Sequence, residues 1–179
     1  MLTNILLILG ALVVVLLVVA SMRPDDFRVS RSETIAAPQD TVFEQVNDFH
    51  KWEAWSPWAK IDPACKNTFD GPPAGTGAGF SWDGNNKVGA GRMTITEVRA
   101  GELILIRLEF LRPCKATHTA EFTFQPKEGK TLVTWSMIGT SNFMLKVVGL
   151  FVSMDKMCGR DFEKGLAQLK TLVESATKA

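Results

Sequence analysis

Residues 154–173 read Met154-Asp-Lys-Met-Cys-Gly-Arg-Asp-Phe-Glu-Lys-Gly-Leu-Ala-Gln-Leu-Lys-Thr-Leu-Val173. The apolar positions Met154, Cys158, Phe162, Leu166, Leu169 and Val173 step by 4, 4, 4, 3 and 4, while Lys156, Arg160, Glu163, Lys164, Gln168 and Lys170 fill the other side. This pattern predicts one long amphipathic helix with a single buried stripe. Gly159 and Gly165 inside it cost about 1 kcal/mol each relative to Ala. They therefore point to close approach of a neighbouring element, or to room for a ligand. The stripe needs a surface to lie on, and the rest of the chain offers only one sheet.

That sheet is written in period two. Ile104, Ile106, Leu108 and Phe110 alternate with Leu103, Leu105, Arg107 and Glu109. Ala120, Phe122 and Phe124 alternate with Thr119, Glu121 and Thr123, and Val133, Trp135 and Met137 with Thr134, Ser136 and Ile138. One apolar and one mixed face means antiparallel strands packed on one side. Asp83-Gly-Asn-Asn86 and Gly71-Pro-Pro73 are breaks, and Lys127-Glu-Gly-Lys130 is a hairpin turn. Upstream, Phe27–Ile35 reads as a half-exposed strand. Pro38 then opens a short helix carrying Val42, Phe43 and Val46, and Trp52, Trp55 and Trp58 follow at intervals of three. Pro57 prevents one helix from running through all three tryptophans.

The first 22 residues stand apart. They carry no charge, and all 20 basic and 19 acidic residues lie beyond them. As a helix they span roughly 33 Å, enough for a hydrocarbon core of about 30 Å. A cleaved signal peptide is the competing reading, supported by Val18-x-Ala20 and opposed by the absence of a basic residue ahead of the run. The expected organisation is a transmembrane anchor over 1–22, a hinge over 23–26 and one domain over 27–177. Arg23, Arg28 and Arg31 follow the span, which favours a cytoplasmic domain.

Composition removes several chemistries. The net charge of +1 gives no electrostatic case for nucleic acid. There is no Tyr, only two His, and three Cys without a C-x-x-C pair, so no zinc site or thioredoxin-like motif is expected. Neither Gly75-x-Gly-x-Gly79 nor Gly89-x-Gly91 has the ending or context of a phosphate loop. No cofactor or metal is expected.

The order of elements resembles the START-like (SRPBCC) superfamily, and in particular its polyketide cyclase/dehydrase-like branch. The resemblance is carried by Ser32-Glu-Thr-Ile-Ala-Ala-Pro38 with Val42-Phe43, by Asn47-Asp-Phe-His-Lys-Trp52 and Trp55-Ser-Pro-Trp58, and by Asp161-Phe-Glu-Lys-Gly-Leu166-x-x-Leu169. It implies an α+β helix-grip fold: a curved antiparallel sheet of about seven strands around the C-terminal helix, with an apolar cavity between them. The implied partner is a hydrophobic small molecule or lipid. Strand face and helix stripe nominate Trp82, Phe110, Phe122, Trp135, Met137, Met154 and Met157 as lining, with Trp55 and Trp58 at the mouth. The same residue types equally build a filled core. His118 shares parity with Phe122 and is the one inward-facing candidate for a polar anchor or acid/base group, with Asp83, Arg92 and Glu97 as possible partners. The alternatives are a cyclase-, dehydratase- or hydrolase-like enzyme with His118 as its acid/base group, and an interaction or co-chaperone domain at the membrane.

Overall fold

The structure, a computed structural model, describes residues 2–141, 143–150 and 154–176; the side chains at 2, 5, 6, 144, 145, 148, 154 and 157 also lie outside the description. It opens with α1 (Leu2–Ser21), β1 (Asp26–Ile35), α2 (Gln39–Asn47) and a 3-10 helix (Phe49–Ala54). Six strands follow: β2 (Lys66–Asp70), β3 (Gly79–Asp83), β4 (Ala90–Arg99), β5 (Leu103–Arg112), β6 (Ala116–Lys127) and β7 (Lys130–Thr140). Helices α3 (Phe143–Val148) and α4 (Met154–Ala176) complete the chain.

The seven strands form one antiparallel sheet in the order β1-β7-β6-β5-β4-β3-β2. Consecutive hairpins build β2 to β7. The first strand then returns to the far edge, with Asp26 opposite Thr140 and Ile35 opposite Thr131. The turn between β6 and β7 places Glu128 (φ 51°) and Gly129 (φ 76°) in the left-handed region, the geometry that matches the twist of a two-residue hairpin. Helix α4 lies over β1 and β7 and touches α2 and the 3-10 helix. Phe162, Leu166, Leu169 and Val173 of its stripe are buried and Cys158 is partly so, as the spacing predicts; Met154 lies outside the described side chains.

The edge strand has a feature its alternation only hinted at. Phe27, Val29, Arg31, Glu33 and Ile35 share the face towards α4, yet two of the five are charged. The helix meets them with its own charged flank. Arg31 donates from Nη1 to Asp155 Oδ1 at 2.8 Å and from Nε to Glu163 Oε1 at 2.6 Å. Lys170 Nζ donates to Glu33 Oε1 at 2.7 Å. The Asp155 and Glu163 carboxylates hold the Arg31 guanidinium firmly protonated, and Arg31 in turn holds Asp155 below the usual carboxylate range. Gly159 has no side chain where this guanidinium lies; a Cβ there would stand 2.5 Å from Arg31 Cζ.

The core is aromatic. Trp135 stacks on Phe162 (centroids 4.3 Å, 10°) and on Phe122 (4.9 Å, 26°), and takes Trp58 edge-on at 5.7 Å. Trp52 and Trp55 pack beside it, 6% and 1% exposed, and their indole N–H groups donate to the carbonyls of Val46 and Gln45. The tryptophans at intervals of three thus wedge the 3-10 helix and its exit between sheet and α4.

Helix α1 is different in kind. Its 20 residues are uncharged, and the described Leu, Ile and Val side chains from Leu7 to Val19 are mostly exposed, Leu7 and Ile8 to 68%. It packs against α3. Among the described residues, which leave out the side chains of Leu2, Ile5 and Leu6, no helix is long and apolar enough to cross a membrane. The fold therefore does not by itself establish the span expected over 1–22. Helix α3 stops at Val148, and 151–153 lie outside the described residues.

Candidate functional site

One end of the sheet gathers the start of β1, the start of β6, the end of β7 and α3. Register aligns Phe27 with Gly139, and His118 with Leu108, while Thr119 opposite Ile138 sets His118 beside Gly139. Gly139 is what makes room for the imidazole, since a Cβ there would run into the His118 ring. The ring sits edge-on to Phe27 (5.2 Å) and Phe110 (6.0 Å) and is 7% exposed. Its Nδ1 is buried and has no hydrogen-bond partner among the described residues.

Beside this ring opens a cleft of about 520 Å³, lined chiefly by Asp25, Lys115, Thr117, His118, Ser141, Phe143 and Lys146. Lys146 is paired with Asp25, and its side chain is 11% exposed. The Ser141 N–H donates to the Asp25 carbonyl at 2.6 Å, and Arg23 Nη1 donates to the Gly149 carbonyl at 2.7 Å. These contacts tie the segment after α1 to both flanks of α3. A second open cleft, about 410 Å³, lies at the other end of the sheet around Gln39, Glu102 and Gln125.

Of the ten residues expected to contact a ligand, His118 alone among those described is in the wall of the first cleft. Trp55, Phe122, Trp135 and Met137 are buried in the core, and Trp58 is packed against it. Trp82 lies over Gly91, its partner across the β3–β4 pair, with Phe110 at 6.1 Å. The side chains of Met154 and Met157 lie outside the described residues. The expected charged neighbours of His118 are engaged elsewhere. Arg92 grips Asp70 with two bonds of 2.7 Å, Asp83 pairs with Arg112, and Glu97 with Arg99 at 3.2 Å. Lys115, Thr117, Ser141 and Lys146 were not singled out in the sequence. They stand at strand ends and on a one-turn helix, where no period marks them, and only the β1–β7 and β6–β7 pairings bring them together.

Burial keeps the His118 imidazole below its ordinary pKa of 6.5, a backbone hydrogen bond at Thr117 offsetting part of the effect. With its pKa held below 6.5, the ring is chiefly neutral at pH 7. Because the folded pKa is depressed, the unfolded chain takes up a proton first as pH falls through about 6.5. The contribution to stability is complete above that pH and is lost below it, down to the folded pKa. A melting series from pH 7.5 to 5 on the wild type and His118→Gln checks this. The wild type should lose the extra stability on acidification; parallel curves would refute it. Gly139→Ala should cost about 1 kcal/mol, the low end for overpacking because the ring can swing into the cleft, and His118→Ala in the same chain should remove the penalty. A double-mutant thermal-denaturation cycle reads this coupling. Among the described residues no cluster of His, Cys, Asp or Glu could hold a metal ion.

Residues 26–174 match the family described as "Polyketide cyclase / dehydrase and lipid transport". The chain belongs to that family. A similar fold is seen in solved structures. A protein of unknown function from Staphylococcus aureus is 9% identical over 88% of this chain and 99% of its own, with a TM-score of 0.65. A protein from Rhizobium loti is 15% identical over 82% and 96% (TM-score 0.62), and the Aha1 dimer from Colwellia psychrerythraea is 12% identical over 83% and 96% (TM-score 0.60). At such identities the likeness is one of fold. Comparison with curated protein sequences finds no match. In this chain, the strand-to-helix opening and the α4 stripe that carry the resemblance both lie inside the matched residues.

Proposed function

We propose that the chain is a membrane-tethered binding module for an apolar small molecule or lipid, with α1 as the tether and the domain on the cytoplasmic side. The observation that carries the reading is one of place. The cleft beside His118 adjoins α3, and α3 packs against a helix of 20 uncharged residues whose described Leu and Val side chains are mostly exposed. Family membership supports an apolar ligand. Leu and Val at this exposure suit lipid rather than water, and 20 helical residues extend about 30 Å. Arg23, Arg28 and Arg31 directly after the helix support the orientation.

The full chain should resist extraction from membranes by alkaline carbonate, and a chain starting at Arg23 should not be retained. Native mass spectrometry of the detergent-solubilised protein should show adducts in the lipid mass range. Complete extraction of the full chain would remove the tether, and an adduct-free spectrum after gentle detergent exchange would remove the binding role. His118 as an acid/base group is the less supported reading, since none of the charged groups expected beside it touches the ring.

A further inference from the structure

The lining of the His118 cleft is not what an apolar ligand alone would ask for. Lys115 and Lys146 bring two cationic groups, Thr117 and Ser141 two hydroxyls, and His118 a buried nitrogen with no partner among the described residues. A polar atom nine-tenths buried in a cleft wall costs about 1–3 kcal/mol if nothing meets it. Lys146 is 11% exposed and is paired with Asp25, which is itself 74% exposed. An exposed carboxylate gives up such a pair at little cost. The large apolar side chain in the lining, Phe143, is 52% exposed.

Position narrows the ligand. Helix α1 ends at Ser21, and Asp25 in the cleft is four residues further on, at most about 14 Å of extended chain. The polar layer of a bilayer adds about 5–8 Å beyond the hydrocarbon on each side. With α1 in the membrane, this cleft lies at the depth of lipid headgroups or just beyond. Resting on the tethered reading above, we propose that the cleft binds the phosphate-bearing headgroup of a lipid. Lys115 and Lys146 face the phosphate, the Thr117 and Ser141 hydroxyls hydrogen-bond the headgroup beside the wall formed by the His118 ring, and the acyl chains leave past Phe143. The bonds from two ammonium groups to one phosphate are of the charge-assisted kind.

The chain has only two histidines, so its imidazole proton spectrum reports the site directly. His50 is the control: it is exposed and stacked on Phe69 at 4.1 Å, in the 3-10 helix rather than in the cleft. The full chain in maltoside micelles is titrated with dihexanoyl phosphatidic acid. The His118 resonance, assigned by its loss in His118→Gln, should shift saturably while that of His50 stays still. Lys115→Glu, a change at an exposed position, and Lys146→Ala should each weaken binding at least about tenfold. Inorganic phosphate should bind markedly more weakly. Equal response to inorganic phosphate would overturn the lipid assignment, and so would an unmoved His118 signal or unchanged affinity in Lys115→Glu. The two readings separate cleanly. Saturable binding by a chain that carbonate extracts completely would sink the tether and keep the site. A retained chain with a flat titration would sink the site and keep the tether.

Discussion

Trp135→Ala should destabilise the domain by about 3–5 kcal/mol, a drop of roughly 10 °C in melting temperature for a domain of this size. Trp135 is 3% exposed and is in ring contact with Phe122, Phe162, Trp52, Trp55 and Trp58. It joins the sheet, the 3-10 helix region and α4 in one stack. Truncation removes the partner of every one of those rings at once, and the rings on either side belong to different elements that cannot close on the gap together. Trp135→Phe separates cavity from chemistry. The indole Nε1 is buried and has no hydrogen-bond partner among the described residues, so removing it relieves a desolvated donor while most of the stack remains. The phenylalanine variant should therefore lose at most about 1–2 kcal/mol. Urea denaturation of both variants checks the pair. A Trp135→Ala loss below that of Trp135→Phe would show that the stack is not what holds α4 to the sheet.

What could be read from the chain in advance, and what could not, follows from the range of each interaction. The α4 stripe and the alternation in β5, β6 and β7 are local patterns with a fixed period, and the structure buries most of the described residues those periods select, with Cys158, Leu108 and Phe110 only partly covered. Lys127–Lys130 is a turn for equally local reasons. The cleft is the opposite case. Asp25, Thr117, Ser141 and Lys146 come from four separate segments, joined because β1 crosses to pair with β7; nothing within any one segment reports that. The aromatic residues expected to line a cavity show the limit of composition. Phe122, Trp135 and their neighbours have the face and chemistry of a pocket wall, and whether such rings meet a ligand or one another depends on how closely α4 approaches. Gly165 decides that distance: a Cβ on it would lie 2.8 Å from Trp135 Cζ3 and 3.1 Å from Pro57 Cδ. Its presence in the helix was readable, but close packing and ligand room were equally open explanations until the ring on the other side was known.

Gly165→Leu tests that closeness through a size exchange. In the wild type, Trp135 is fixed between Phe122 and Phe162 and has no direction in which to yield, so the new side chain must lift α4 from the sheet. The loss should be about 2–3 kcal/mol, the upper range for overpacking, even though leucine is the better helix former by nearly 1 kcal/mol. In Trp135→Ala the sign reverses. The indole that blocked the leucine is gone, the space it leaves begins where the Cβ of residue 165 would stand, and both the propensity gain and the refilled volume favour the second substitution. The chain carrying both changes should be more stable than Trp135→Ala alone by about 1–2 kcal/mol; set against the loss of about 2–3 kcal/mol in the wild type, that is a coupling of about 3–5 kcal/mol, at or above the top of the range seen for residues in contact. Chemical denaturation of the four chains measures it. Additive losses would mean that α4 is held away from Trp135 by something other than this contact, and that Gly165 leaves space rather than closing it.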